Sequence, residues 1–165
     1  MSFGVELFDV EALTVLPDRP EVASASNHSG TIAEIAFLKE AATRGWSTWV
    51  PIGHANKADL CIWKPPSAPL TIQIKKGVWQ RDNQCWKVMI GSGKPSCAAN
   101  PKDYGKRYTR YGKGDFDILA MYVQEHDSFV LWALNDICGK STINWRPSSM
   151  PEMGNWQLLE ELVTA

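Results

Sequence analysis

The residues Leu70 to Gly77, LTIQIKKG, alternate apolar and polar side chains before ending in two lysines and a glycine. A period of two belongs to a β-strand, and it places Leu70, Ile72 and Ile74 on one face and Gln73 and Lys75 on the other. The apolar face requires a partner layer. The upstream segment SGTIAEIAFLKEAATRG reads as a helix, because Ile32, Ile35, Ala36, Leu38 and Ala42 fall near helical spacing. Ser29 or Thr31 is placed to cap this helix and Gly45 to stop it.

Around these two elements the remaining pattern is mostly strand. WSTWVPI reads as a short strand closed by the turn GHANK, and ADLCIWK as a second strand, joined to LTIQIKKG by the hairpin-like loop PPSAP. Strand-like pieces follow around Trp79 and from Cys85 to Ile90. FDILAMYVQ and SFVLWALND are two further apolar strands linked by EHD, and NWQLLEELVTA closes the chain as a short helix. This order predicts an α/β or α+β plan built on a mixed central sheet. With 165 residues the chain is expected to form a single domain, 1–165, whose residues 1–27 form an N-terminal arm.

Net charge is −1, so the totals favour no polyanionic partner, but the charges are segregated. Between Gln73 and Lys113 ten lysines and arginines face only Asp82 and Asp103. From Gly114 onward eight acidic residues face only Lys140 and Arg146. Clustered positive charge in a near-neutral chain can focus on a polyanion, although a solvated polar stretch has the same composition. The four cysteines, Cys61, Cys85, Cys97 and Cys138, form no CxxC pair, which argues against a thiolate zinc site. Cys61 reads as a small core residue. No apolar run is long enough to span a membrane and no signal peptide is visible, so the expectation is a soluble, cytoplasmic protein.

Chemistry concentrates at four positions. Glu34 lies on the helix, Asp59 opens the second strand, and Gln73 and Lys75 share a face of the third. Asp59 offers a carboxylate, Gln73 a carbonyl oxygen, and the intervening main chain another oxygen, a set suited to a hard cation such as magnesium. Lysine is not a ligand for such an ion. Beside it, a lysine can orient a water and stabilise charge developing on a phosphoryl group. The plainer alternative is that Gln73 and Lys75 form a solvent face and Asp59 a turn carboxylate.

The stretch TIAEIAFLKEAATRGWSTWVPIGHANKADLCIWKPPSAPLTIQIKKG resembles the core of the PD-(D/E)xK nuclease superfamily: a helix bearing Glu, a G-W turn, a strand opened by Asp, and a (D/E)-x-K strand. It is most similar to the branch of archaeal-type Holliday junction resolvases and small homing endonucleases. The resemblance implies a restriction-endonuclease-like fold, α/β, with a central mixed sheet flanked by helices. It places the helix acid on Glu34, the first aspartate on Asp59, the second acidic position on Gln73 and the lysine on Lys75. Metal ligation would then fall to Asp59, Gln73 and Glu34. The sequence departs from the pattern twice: Ala58 stands in place of a proline, and Gln73 in place of the second carboxylate. Some homing-type members also carry Gln there. In the strand FDILAMYV, Asp117 resembles a family aspartate near the lysine side of the site.

The implied activity is Mg²⁺-dependent endonucleolytic hydrolysis of DNA, duplex or branched, with Mn²⁺ able to substitute and Holliday junction resolution as one form. The alternatives are a sequence-specific homing or restriction-type enzyme, or an inactive DNA-binding module. Residues 91–114 then become a basic DNA-facing loop. The nucleic-acid contacts are expected from Ser29, Lys76, Arg81, Lys106, Arg107, Arg110 and Lys113, on phosphates. Trp79, Trp86, Tyr104, Tyr108 and Tyr111 are interleaved with these cations, to pack beneath the loop or stack on bases. His28, with Ser29, could touch the scissile region or be a plain polar residue near a helix cap, His54 could face the groove, and His126 is expected to be inert. One site cuts one strand, so a homodimer is expected, with the N-terminal segment or SFVLWALND as its interface.

Overall fold

The computed structural model describes residues 25–51, 57–91 and 110–164. Among these, one long helix, α1 (Ala25–Thr43), precedes strands β1 (Ser47–Trp49), β2 (Leu60–Trp63), β3 (Leu70–Lys76), β4 (Val78–Gln80) and β5 (Cys85–Met89). Then come β6 (Ile118–Val123), β7 (Ser128–Ala133), the one-turn α2 (Leu134–Ile137), β8 (Thr142–Trp145) and α3 (Gln157–Thr164). Helix α1 starts inside the segment 1–27 that the sequence suggested as an arm. Ser29 and Thr31 therefore lie within the helix rather than capping it. At its other end Gly45 takes a φ of 75°, the left-handed geometry that ends helices and favours glycine.

The strands form two sheets rather than one. The main sheet has the order β1-β2-β3-β6-β7 and is mixed: β3 and β6 are parallel and the other pairs antiparallel. The second, β4-β5-β8, is antiparallel throughout. Strand β8 and helix α2 had no clear signal in the sequence, since TINW and LNDI are each too short to carry a period.

Helix α1 packs on the face of the main sheet made by Leu60, Ile62, Leu70, Ile72, Ile74, Ile118 and Ala120. The residues it buries are Ala33, Phe37 and Ala41, one per turn, whereas Ile32 and Ile35 are exposed. The expected apolar face was therefore rotated. The two alanines let the helix backbone lie close to the sheet, and Phe37 fills the space between them. Its ring meets Phe129 edge-on at 5.2 Å and Trp156 at 5.2 Å.

The opposite face is covered by the second sheet, but only in part. Leu119, Met121, Val123, Val130 and Trp132 of β6 and β7 pack against Trp86, Val88 and Trp145. Toward β1 and β2 that face is open, with Trp49 and Trp63 exposed, whereas Gln73 on β3 is buried. Strand β7 is buried, with Phe129, Val130 and Leu131 inaccessible, and forms an edge of the main sheet. Its backbone is completed by Asn155, whose side chain accepts from the Leu131 N–H and donates to the Leu131 carbonyl, each at 2.9 Å. Gly77 ends β3 where its N–H reaches the Tyr122 carbonyl, and a Cβ there would press on Met121 Sδ at 3.1 Å.

Candidate active site

Asp59 is the last residue before β2, and its backbone N–H already belongs to the sheet, donating to the Ile72 carbonyl at 2.8 Å. That bond fixes the carboxylate opposite the middle of β3. Asp59 Oδ2 accepts the Ile74 amide N–H at 2.6 Å and also a hydrogen bond from Gln73 Nε2. Gln73 Nε2 donates in addition to the Ile74 carbonyl at 3.2 Å. The buried carboxamide thus bridges a carboxylate oxygen and a main-chain oxygen, while its own oxygen accepts from the Tyr111 hydroxyl at 3.4 Å.

Burial pushes the Asp59 carboxyl up to about 6; the Ile74 N–H and the Lys75 charge pull it down, and the Glu34 charge raises it further. Asp59, Glu34 and Lys75 therefore lie within electrostatic reach of one another. Period two along β3 keeps Lys75 on the face of Gln73, and the residue is half-buried. Glu34 is exposed on α1.

The Asp59 carboxylate and the Ile74 carbonyl are oxygens of the kind a hard divalent cation takes, while the Gln73 oxygen is turned to Tyr111. Asp59 Oδ2 and the Ile74 carbonyl are acceptors that converge on one partially positive group, the Gln73 NH₂. A desolvated carboxylate with a second acid nearby favours a positive partner. Among the described residues no group of three or more His, Cys, Asp and Glu converges. A bound cation would be held by Asp59, Glu34 and the oxygens of Gln73 and Ile74.

The surroundings of Tyr111 carry no periodic signal in the sequence. Its ring is buried, edge-on to Phe116 at 4.8 Å. The following turn is held by Asp115, which accepts from the Gly112 N–H at 2.7 Å and from Lys57 Nζ at 2.8 Å. The hydrogen bond from Lys57 keeps the Asp115 carboxyl below its usual range. Lys57, two residues before Asp59, is thus tied to the turn that carries Tyr111.

The other positions singled out in the sequence scatter. Asp117 accepts from both the N–H and the hydroxyl of Thr71, each at 2.7 Å, and so pins the start of β3 rather than reaching Asp59. Cys61 is half-exposed on the open face, not in the core; burial and the Asp117 charge push its thiol up. Ser29 is half-buried and His28 exposed on α1, and Lys76 is half-buried at the end of β3. Arg81 is exposed in the β4–β5 turn. Arg110 donates to the Gly139 carbonyl at 3.2 Å, and Lys113 lines a surface cleft with Leu70 and Asp117. Trp86 is buried between Trp79 and Trp145, and His126 rests edge-on against it at 5.6 Å. Lys106, Arg107, Tyr104, Tyr108 and His54 lie outside the described residues, as does most of the segment 91–114. No helix among the described residues is long and apolar enough to cross a membrane.

The family model described as PD-(D/E)XK endonuclease matches residues 25–148, from the start of α1 to just beyond β8. The chain belongs to that family. Its PD-(D/E)XK fold is shared with the bacterial homing endonuclease I-Ssp6803I, at a TM-score of 0.69 and 20% identity, over 83% of this chain and 94% of that one. No curated protein matches the sequence. In this PD-(D/E)XK chain the helix α1, the Asp59 turn and strand β3 are the segments that carried the sequence resemblance, and the fold brings all three to one place.

Proposed function

We propose that this PD-(D/E)XK protein is a Mg²⁺-dependent endonuclease that hydrolyses DNA phosphodiester bonds, with Mn²⁺ able to substitute. The observation that carries this reading is the convergence of the Asp59 carboxylate, the Gln73 carboxamide and the Ile74 carbonyl beside Lys75. When bound, a divalent cation supplies an acidified water and neutralises charge on the phosphate. Asp59 and Glu34 hold it through charge and Gln73 through its carbonyl oxygen. Lys75 orients the attacking water and stabilises the negative charge that develops on the phosphoryl oxygens.

The DNA lies across the exposed β1–β2 side of the face opposite α1, up to Lys75 on β3. The strand register puts Trp49, Cys61 and Trp63 on the same face as Gln73 and Lys75, and both tryptophans are substantially exposed. Lys76, Arg81, Arg110 and Lys113, with Lys106 and Arg107, contact phosphates, and Ser29 approaches from α1. The likeness to I-Ssp6803I over almost its whole length supports a homing or restriction-type substrate, a duplex sequence, over a four-way junction. Cutting both strands takes two copies, so the active form is a homodimer.

A cleavage panel tests the reading: supercoiled DNA, a linear duplex library, a four-way junction and single strand, each with Mg²⁺, Mn²⁺ or chelator. Metal-dependent cutting of a particular duplex sequence, abolished in Lys75→Ala with DNA binding retained, is the expected result. Paired cuts confined to the junction would move the assignment to a resolvase. Binding without cleavage under every condition would leave a silent DNA-binding module.

A further inference from the structure

Lys57 and Asp115 lie 58 positions apart in the chain and have no part in the reaction above, yet Lys57 Nζ reaches Asp115 Oδ2 at 2.8 Å. The pair is shielded: its side chains keep 34% and 19% of their accessible surface, against 69% and 64% for the surface pair Lys39 and Asp127. A fully solvated pair of the second kind holds little. A shielded one that shares its carboxylate with a backbone N–H fixes geometry as well as charge. Asp115 Oδ2 also accepts the Gly112 N–H at 2.7 Å, and the Asp115 N–H donates to the Gly112 carbonyl at 3.2 Å.

These contacts close a ring around the candidate site. From Asp59 the chain runs back through Ala58 to Lys57, across the ion pair to Asp115, and through the Gly112 N–H to Tyr111. The Tyr111 hydroxyl donates to Gln73 Oε1, and Gln73 Nε2 donates to Asp59 Oδ2, where the ring began. Ala58, inside the ring, packs against the core cluster that contains Tyr111 and Phe116. Asp59 precedes β2, so the strand ladder holds it through its own N–H and through the residues that follow. The chain before it is held by Lys57.

We propose that Lys57 and Asp115 are positioning residues for the hydrolysis: their ion pair fastens the approach to Asp59 onto the turn that carries Tyr111, and so keeps the Asp59 carboxylate in place against Gln73 and Ile74. Neither group touches the phosphate. The charge of Lys57 is committed to Asp115, which separates its role from that of Lys75 and from the cations that meet DNA phosphates. The contribution is geometric, and a displacement of about 1 Å in a reacting group can cost on the order of 100-fold in rate.

The inference rests on the endonuclease reading above, and two readouts separate them: steady-state cleavage kinetics on duplex DNA, and amide hydrogen exchange by NMR without DNA. Lys57→Met keeps the length of the side chain and removes its charge, and Lys57→Arg keeps the charge. Asp115→Asn keeps an acceptor for Gly112 and loses the charge. In full-length Lys57→Met, kcat is expected to fall about tenfold with KM within about twofold of the parent. The Ile74 amide, whose N–H lies on Asp59 Oδ2, is expected to exchange about tenfold faster. The Leu131 amide, held by Asn155 on β7, should keep its rate. Asp115→Asn should match Lys57→Met, and Lys57→Arg should restore both readouts. A raised KM with unchanged kcat makes Lys57 a DNA contact and overturns the positioning role. Unchanged Ile74 exchange overturns it too, as does faster exchange shared by Leu131, which marks a general loosening of the fold. A parent that cuts no DNA overturns the endonuclease reading, and the exchange rates then uphold or overturn the hold on Asp59 by themselves.

Discussion

Gln73 gives its carboxamide N–H to the same Asp59 oxygen that already takes the Ile74 amide N–H. The two side chains meet through adjacent antiparallel strands, with Leu60 paired to Ile72 and Asp59 one step before Leu60. Their contact links the metal-free stability of this protein to the composition of its candidate site.

Replacing Gln73 with glutamate removes the carboxamide donor and leaves the Ile74 N–H alone on Asp59. Three acceptors then face one another in a buried space, an arrangement expected to cost about 2–3 kcal/mol without metal. Gln73→Glu should lower the thermal midpoint in chelator at pH 8, and Mg²⁺ should raise it by more than in the parent. Equal midpoints in chelator would show that the carboxamide contact contributes nothing.

The Asp59 carboxyl, raised by burial to about 6, gives a pH dependence of definite sign. A group whose folded pKa exceeds its unfolded value adds stability below the unfolded value, near 3.9, and loses it as pH rises through 6. Ionised Asp59 therefore burdens the metal-free fold at neutral pH by an amount on the order of 2 kcal/mol after solvent screening. In Asp59→Asn the carbonyl still accepts both N–H groups and the charge is gone. Differential scanning calorimetry in chelator should find the variant more stable than the parent at pH 8, with the gap narrowing at pH 5. A gap that widens at pH 5 would contradict this account.

Asn155 substitutes for a strand partner at β7, with both bonds to Leu131 buried. Asn155→Ala leaves an N–H and a carbonyl unpaired inside the protein, an expected loss of about 2–4 kcal/mol. Denaturant unfolding measures it directly, and a loss under 0.5 kcal/mol, about the size of a neutral surface change, would show that water replaces the side chain.

Helix α1 gives a paired comparison. Phe37→Ala should cost about 3–5 kcal/mol because it opens a cavity against Phe129 and Trp156. Ile35→Lys, at a position 61% exposed, should change stability by no more than about 0.5 kcal/mol. Opposite results in the two variants would mean that α1 packs through its isoleucines.

That comparison marks where local pattern stops being informative. In SGTIAEIAFLKEAATRG the isoleucines are the more apolar residues, and hydropathy alone directs them inward. The sheet selects Ala33 and Ala41 instead, because small side chains admit a closer approach and Phe37 supplies the volume.

The alternation of LTIQIKKG, by contrast, is a property of the strand itself. It places Gln73 and Lys75 on one face whatever the surroundings, and with the Asp59 turn and the α1 glutamate it made the PD-(D/E)XK family legible before any fold was known. What the sequence could not contain is the neighbourhood of Gln73. The division into two sheets, the open face beside β3 and the Tyr111 hydroxyl over the carboxamide arise from contacts between segments far apart in the chain. Residues 73 and 111 share no period and no motif, and only the packing of the Tyr111 turn against β3 and β6 brings them into hydrogen-bonding distance.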